Sequence, residues 1–152
     1  MRPVIMIVSC AAIALPAPAI AADVVFTGTL INSCVLNLTS PGVLAASSDG
    51  NTLSSENVGG VPAVLAVVAV GTNPTLSYTA PTLQSPATYS GTPVTAIRYQ
   101  ALGGASQAYT SNASSMTAGS LLDTVTINSR VTTNRGFASG TYTVRTTVTC
   151  QQ

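Results

Sequence analysis

The sequence predicts an all-β protein, a single immunoglobulin-like β-sandwich of about seven strands. At both ends of the chain, apolar and polar residues alternate with the period of two that a β-strand requires. Turn-forming residues interrupt the chain at short intervals in between, and no segment after residue 21 keeps a helical period for long. A length of 152 residues suits one domain. A jelly roll or a small barrel is the competing all-β architecture.

The charge content excludes several classes of function. The chain has five basic residues, all of them arginines, together with four acidic residues and no histidine. So few cations cannot neutralise a nucleic-acid backbone, so we expect no nucleic-acid partner. Without histidine there is no Ser-His-Asp or Cys-His nucleophile pair and no zinc site of the usual kind. We therefore expect a protein that is not an enzyme and has no catalytic residue, cofactor or metal.

Residues 1–21 have the pattern of a cleaved signal peptide. Arg2 precedes an apolar run from Val4 to Leu15, and small residues follow up to Ala21, where the cut fits best; a cut after Ala22 fits nearly as well. The apolar run is too short for the alternative of a membrane anchor. A second alternative is lipidation at Cys10, which follows Ile-Val-Ser. The sequence thus predicts an exported domain over residues 22–152, secreted, periplasmic or on the cell surface, with no membrane span.

Removal of residues 1–21 leaves two cysteines, Cys34 and Cys150, near the two ends of the chain. An even pair in an exported chain most simply forms one disulfide, which in the chain-entropy model stabilises a loop of this size by roughly 4 to 5 kcal/mol. The alternative is two separate buried thiols. A catalytic thiol has no histidine to activate it.

The first and last strands carry these cysteines on their apolar faces. Even-numbered positions from Val24 to Leu38 form one face, and even-numbered positions from Tyr142 to Cys150 form another. Two cysteines that point into one core can approach within bonding distance. Each lies late in its predicted strand, so we expect the first and last strands to lie side by side and parallel.

Further strands are predicted between these ends. Val61 to Val70 is an apolar, β-branched run typical of a buried central strand. Two shorter strands are predicted at Thr75 to Thr82 and at Val94 to Leu102. A further strand is predicted from Leu121 to Thr133, with Leu121, Val125, Ile127 and Val131 on one face. The polar stretch 105–119 is predicted to be a loop or a weak edge.

Both ends of the chain resemble known β-sandwich subunits. The segment Val25-Phe26-Thr27-Gly28-Thr29-Leu30-Ile31-Asn32-Ser33-Cys34 resembles the opening strand of bacterial fimbrial subunits of the chaperone–usher route. The segment from Ser139 to Thr149, with Gly140-Thr141-Tyr142, is similar to the last strand of those subunits and of spore coat U-like secreted proteins. The resemblance implies an immunoglobulin-like subunit of a surface fibre or coat. Its partners would be like subunits or a periplasmic chaperone, joined by strand addition.

This chain departs from the fimbrial pattern in two respects. Fimbrial subunits usually pair the first-strand cysteine with one on the following strand, whereas here the partner is Cys150. They also carry a donor segment ahead of the first strand, and here cleavage leaves little beyond Ala22 and Asp23. We therefore expect a chain able to accept a strand but poorly equipped to donate one. If the disulfide closes the groove between the first and last strands, the domain is instead self-complete. Threonine side chains and Arg145 would then protect its edges against pairing with another strand.

Other candidate chemistry is weak. Asp49 and Glu56 share a polar loop, but they lack the spacing of a calcium site, so we interpret them as solvated charges. Asn37 and Asn112 each begin a glycosylation sequon, a pattern expected by chance in a chain rich in serine and threonine.

The tyrosines and two arginines are candidate ligand contacts. Aromatic rings can stack on a sugar, although tyrosines in strands more often pack at a sandwich rim. Arg130 and Arg135 flank a turn that could bind an anion, although two exposed arginines more often serve only solubility. The tyrosines in question are Tyr78, Tyr89, Tyr99 and Tyr109.

The favoured hypothesis is an exported structural subunit of a bacterial surface fibre or coat, and the alternative is a secreted glycan-binding or adhesion module.

Overall fold

A computed structural model describes residues 25–152, so the predicted signal peptide and its cleavage site lie outside the described residues. Within this range the protein is all-β and contains no helix. Several of the twelve strands are short, because breaks divide longer strands into consecutive pieces. The strands are β1 (Ser33–Ser40), β2 (Ala45–Ala46), β3 (Thr52–Ser54), β4 (Ala63–Val70), β5 (Thr75–Tyr78), β6 (Thr82–Gln84), β7 (Val94–Ala101), β8 (Ser106–Thr110), β9 (Ser114–Thr117), β10 (Leu122–Thr132), β11 (Thr143–Arg145) and β12 (Val148–Gln151).

The first sheet is built around β10, the longest strand. Along one edge, β10 pairs with β4 over Leu122–Ile127 and then with β3 over Arg130–Thr132. Along its other edge it pairs with β7, which pairs in turn with β8. β1 pairs with the far side of β4, and β2 with the far side of β3. All of these pairings are antiparallel. Because β1 pairs only with β4 among the described strands, it is an edge strand of this sheet.

The second layer consists of two short antiparallel assemblies that lie end to end in sequence. β5 is flanked by β9 and β12, and β6 pairs with β11. β5 and β6 are consecutive, and the break between them contains Pro81, which has no N–H to donate to a ladder. Across the matching break between β11 and β12, the Thr79 N–H donates to the Thr147 carbonyl at 3.0 Å. The two assemblies therefore continue one interrupted strand pair.

The strand order is that of an immunoglobulin-like sandwich, which confirms the predicted fold class. We join the interrupted pieces and leave out the short strands β2, β3, β8 and β9, which gives six main strands. The first, second, fifth and fourth of these are β1, β4, β10 and β7, which are adjacent in that order in one sheet. The third main strand (β5 and β6) and the sixth (β11 and β12) pair in the other sheet. In a complete seven-stranded domain, the seventh strand lies beside the sixth. No described residue occupies that position.

The core lies between the two layers and is centred on a pair of stacked tyrosines. The rings of Tyr78 and Tyr99 are nearly parallel, with centroids 3.9 Å apart, and both side chains are buried. Aliphatic side chains from both sheets surround this pair, because period-two alternation turns every second residue inward. The other members of the core cluster are Leu65, Val67, Leu76, Ile97, Ala101, Met116 and Val125.

The predicted first strand is too long. The alternating pattern begins at Val24, but β1 starts only at Ser33. Ser33 pairs with Val70, the last residue of β4, after which the chain turns at Gly71 with a φ of 109°. Residues 25–32 therefore extend beyond the sheet and pair with no strand in the described part of the chain, although they keep the pattern of a strand.

One further prediction is confirmed and another needs adjustment. The stretch 105–119, expected to be a loop or a weak edge, contains the edge strands β8 and β9. β4 is central as predicted, but only one of its faces is fully buried. Leu65, Val67 and Ala69 face the core, whereas on the outer face Val64 and Ala66 are half-buried and Val68 and Val70 are exposed. On the outer face, Val68 pairs with Val35 on one side and with Leu122 on the other, and all three are exposed.

Candidate functional site

The predicted disulfide is present and joins the two layers. Cys34 and Cys150 are bonded, their Cα atoms are 6.0 Å apart, and 116 residues separate them in sequence. The two cysteine strands are not the parallel neighbours that we expected. β1 pairs with β4 in one sheet and β12 with β5 in the other, and the bond joins the start of β1 to the end of β12. Because β1 starts only at Ser33, Cys34 lies early in its strand rather than late.

The side of the sandwich at β1 and β12 is incompletely covered, and we call it the open seam. Alternation along the last strand holds as predicted, but its inward residues are only half-buried, whereas Leu76 and Tyr78 on the neighbouring β5 are 0% and 2% exposed. On β1, Leu38 lies on the same face as Cys34 and Leu36, yet it is 58% exposed. The half-buried inward residues of the last strand are Tyr142, Val144, Thr146, Val148 and Cys150.

An unpaired backbone edge borders this seam. β12 pairs with β5 and β11 with β6, and neither has a second partner among residues 25–152. An unpaired edge presents a row of N–H and C=O groups that can bind another strand. The disulfide holds the two layers together at one end of the seam, near Cys150. The rest of the edge, along residues 143–149, is available for a further strand.

The N-terminal segment 25–32, which we call the tail, has the alternating sequence of a strand but pairs with no strand among the described residues. It has no regular secondary structure and all of its residues are exposed. Phe26 is 91% exposed, Leu30 70% and Ile31 77%, values that are unusual for large apolar side chains. The expectation that the chain lacks a donor segment rested on a first strand starting at Val24. Because β1 starts at Ser33, the tail is free of the sheet.

The candidate tyrosines have three different environments. Tyr78 and Tyr99 are buried in the core, where they stack on each other, so neither can stack on a sugar. Burial raises the pKa of Tyr78, and its hydroxyl has no hydrogen-bond partner among the described residues. Tyr89 packs against Phe137 and Tyr142 with ring centroids 5.8 and 5.6 Å away. These three tyrosine positions fit the expectation of structural packing rather than ligand contact.

The fourth candidate, Tyr109, is the centre of a charged cluster. Its hydroxyl donates to Glu56 at 2.6 Å, and Glu56 also forms an ion pair with Arg98. The guanidinium carbons of Arg130 and Arg98 lie 4.1 and 5.5 Å from the centre of the Tyr109 ring. Burial, followed by the hydrogen bond to Glu56, raises the pKa of Tyr109, so its hydroxyl remains protonated and donates. We call Glu56, Arg98, Tyr109 and Arg130 the arginine–tyrosine cluster.

The remaining candidates, Asp49 and Arg135, do not belong to this cluster and line two different clefts. Asp49 accepts a hydrogen bond from the Ser47 hydroxyl and one from the Asn51 N–H at 3.1 Å. These hydrogen bonds lower the pKa of Asp49, first of all the one from Ser47. Arg135 is exposed beside Tyr89 and Phe137, away from Arg130, so the two arginines do not form one anion site. Residues 25–152 contain no group of three or more histidine, cysteine, aspartate or glutamate side chains placed to hold a metal.

One buried carboxylate was missed by the sequence reasoning. Asp123 is 7% exposed and accepts hydrogen bonds from the backbone N–H groups of Gly103, Gly119 and Thr124, at 3.1, 3.2 and 2.8 Å. It ties the β7–β8 turn to the segment before β10. The signal was present, because position 123 lies on the same alternating face as Leu121 and Val125.

No helix within residues 25–152 has the length and apolar character needed to cross a membrane. Comparison with known proteins adds no assignment: no family model matches the chain, and no curated protein or solved structure matches it either.

Proposed function

We propose that this chain is an exported, non-catalytic structural subunit of a bacterial surface fibre or coat, whose copies join by strand addition. The observation that supports this most is the coexistence of an unpaired edge along β11 and β12 with an unpaired, apolar tail at residues 25–32. Addition of an extended segment to a sheet edge is an established mode of recognition.

The acceptor side of the proposal is the open seam. An added strand beside β11 and β12 would complete the backbone hydrogen bonds of that edge and would occupy the position of the seventh strand. Its inward side chains would cover Leu38 on β1 and Val144 and Val148 on the last strand. Because the seam is apolar on its inner side, the added strand needs alternating apolar residues.

The donor side is the tail of a second copy. Phe26, Gly28 and Leu30 lie on one face of the extended tail, and Thr27 and Thr29 lie on the other. A segment of this length spans roughly 26 Å at about 3.3 Å per residue, which is enough to cover the edge along residues 143–149. Donation from one copy to the next is a head-to-tail contact, which generates open filaments when the rotation between copies does not close a ring.

The disulfide limits where the added strand can lie. With the Cα atoms of Cys34 and Cys150 only 6.0 Å apart, β1 and β12 leave no room for a strand between them at that level. The added strand therefore pairs with residues 143–149 and stops short of Cys150. Before assembly, a periplasmic chaperone that presents an extended strand would hold the same edge.

Composition and the disulfide are consistent with this role. After loss of Arg2 with the signal peptide, four arginines balance four acidic residues, so self-repulsion between copies is weak. A disulfide between the two ends of the domain is typical of proteins that fold in an oxidising compartment. The low net charge favours close packing of copies, and the disulfide supports a protein of the periplasm or the cell surface.

The proposal is tested by comparing assemblies of exported variants. Phe26→Asp with Leu30→Asp places two charges on the apolar face of the tail, and Thr27→Asp with Thr29→Asp places the same two charges on its polar face. Size-exclusion chromatography and electron microscopy of sheared surface material are expected to show polymers for the wild type and the threonine control, and monomers for the Phe26/Leu30 variant. A wild-type protein that is monomeric in both preparations, or two variants that assemble equally, would contradict strand addition.

A further inference from the structure

A polar cleft lies beside the arginine–tyrosine cluster, near the β2–β3 turn and the end of β10. Its volume is about 490 Å³, within the range of small-ligand sites, and all of its lining residues have polar side chains. Asp49 and Ser48 come from the β2–β3 turn, Ser54 and Glu56 from β3 and the residues after it, and Arg130 and Thr132 from β10; these are the lining groups that matter here.

Arg130 is a fixed hydrogen-bond donor on one side of this cleft. Its guanidinium carbon lies 4.1 Å from the centre of the Tyr109 ring, and this cation–π contact restricts the side chain. Tyr109 is itself fixed by its hydrogen bond to Glu56, which Arg98 holds in turn. Among the described residues, the Arg130 side chain makes no ion pair and no hydrogen bond. Its planar set of N–H donors is therefore oriented but unused.

Asp49 provides the complementary acceptor. The Ser47 hydroxyl and the Asn51 N–H both donate to its Oδ1 atom, so the carboxylate is oriented by the turn that carries it. Neither of these two hydrogen bonds uses its Oδ2 atom. The hydrogen bonds from Ser47 and Asn51 lower the pKa of Asp49, which keeps the carboxylate ionised at neutral pH. A ligand hydroxyl can donate to the Oδ2 atom.

The charges around the cleft cancel, and this selects the class of ligand. Arg98 and Arg130 carry two positive charges, and Glu56 and Asp49 carry two negative ones. An anion is attracted by Arg130 but repelled by Asp49, and a cation is attracted by Asp49 but repelled by Arg130. A neutral ligand whose neighbouring hydroxyls both donate and accept satisfies Arg130 and Asp49 together, and Thr132 and Ser48 add further hydroxyl partners.

We propose that this cleft binds a neutral carbohydrate, with Arg130 donating to one sugar hydroxyl and Asp49 accepting from a neighbouring one. The cleft lies on the first sheet at the β2–β3 turn, whereas the edge proposed for assembly lies on the second sheet at β11 and β12. The inference therefore does not depend on strand addition. A subunit with both features would present one sugar-binding cleft per copy.

The test uses the exported wild-type protein on an array of immobilised oligosaccharides. The neutral arm consists of oligosaccharides of hexoses and N-acetylhexosamines, and a second arm carries sulfated and uronic-acid-containing oligosaccharides. The best neutral oligosaccharide is then titrated calorimetrically into the wild type and three variants. Arg130→Gln and Asp49→Asn remove the two proposed contacts, and Arg135→Gln is the matched control, because it removes an exposed arginine elsewhere.

We expect binding in the neutral arm, at least a tenfold weaker affinity for Arg130→Gln and for Asp49→Asn, and an unchanged affinity for Arg135→Gln. Thermal unfolding of each variant checks that the fold is retained. An absence of binding in the neutral arm, or binding confined to the anionic arm and abolished by salt, would overturn the proposal. An affinity that Arg130→Gln and Asp49→Asn leave unchanged, or that Arg135→Gln weakens equally, would also overturn it.

Discussion

Cys34 at the start of β1 is covalently joined to Cys150 near the end of β12, and these two strands belong to different sheets. β1 and β12 form no backbone ladder with each other, so the disulfide is their strongest connection at this side of the sandwich. It closes one end of the open seam, and the rest of the edge has no partner strand among residues 25–152. The bond thus joins the two layers without pairing this edge.

Removal of this disulfide is expected to destabilise the domain strongly. The double variant Cys34→Ser with Cys150→Ser frees a loop of 116 residues in the unfolded chain, and we expect the free energy of unfolding to fall by about 4 kcal/mol. Urea denaturation followed by circular dichroism measures the change, and the wild type in reductant is the control. A loss below about 1 kcal/mol would show that the two layers hold together without the bond.

The buried carboxylate of Asp123 is expected to contribute more to stability than any exposed one. Asp123→Ala leaves the N–H groups of Gly103, Gly119 and Thr124 without their acceptor, and we expect a loss of about 3 kcal/mol. Asp49→Ala, which removes an exposed carboxylate from a turn, is the matched control, and we expect it to be milder. Equal melting temperatures for the two variants would contradict the role assigned to Asp123.

Tyr78→Phe is expected to be neutral or stabilising, although it changes the most deeply buried aromatic pair. The hydroxyl of Tyr78 is buried and has no partner among the described residues, so its removal relieves a desolvation cost of about 1 kcal/mol. Tyr99→Phe is the control, because the Tyr99 hydroxyl donates to Ser114 at 2.9 Å and its loss costs about 1 kcal/mol. Chemical denaturation of both variants distinguishes them, and an equal loss in both would show that the Tyr78 hydroxyl is satisfied.

The same tyrosine predicts how stability depends on alkaline pH. Burial raises the pKa of Tyr78, so the folded state binds this proton more tightly than the unfolded state does. The resulting stability is fully present below the ordinary tyrosine pKa of about 10 and is lost as the pH rises above it, at up to about 1.4 kcal/mol per pH unit. Denaturation between pH 8 and 11 is expected to show a steeper loss for the wild type than for Tyr78→Phe. Identical slopes would contradict this.

Much of the fold was predictable because strand alternation is a local signal. The inward faces of the last strand and of β10 follow directly from period two, and so does the burial of Val125 and Val131. The disulfide was predictable from the number of cysteines and their shared apolar faces. Its geometry was not, because the start of β1 depends on where β4 ends, and that is set by the turn at Gly71.

The candidate sites were less predictable, because they depend on contacts between distant segments. The tail is identical in pattern to a paired strand, and only the register of β1 against β4 shows that it is free. Glu56, Tyr109 and Arg130 are far apart in sequence, and their segments come together only because β10 pairs with β3 on one side and with β7 on the other, and β7 pairs in turn with β8, which carries Tyr109. Asp123 could have been recognised, because its position lies on an apolar face.

Photo-crosslinking from the tail tests strand addition most directly. Phe26 is replaced by a photoreactive benzoylphenylalanine in the exported protein, the sample is irradiated, and the products are separated on a reducing, denaturing gel and mapped by mass spectrometry. We expect a ladder of covalent dimers and larger species, with the crosslinks falling on residues 143–149 or on Leu36 and Leu38 of the neighbouring copy. Crosslinks confined to the same chain, or attached to the outer face around Val68 and Leu122, would contradict the proposed assembly.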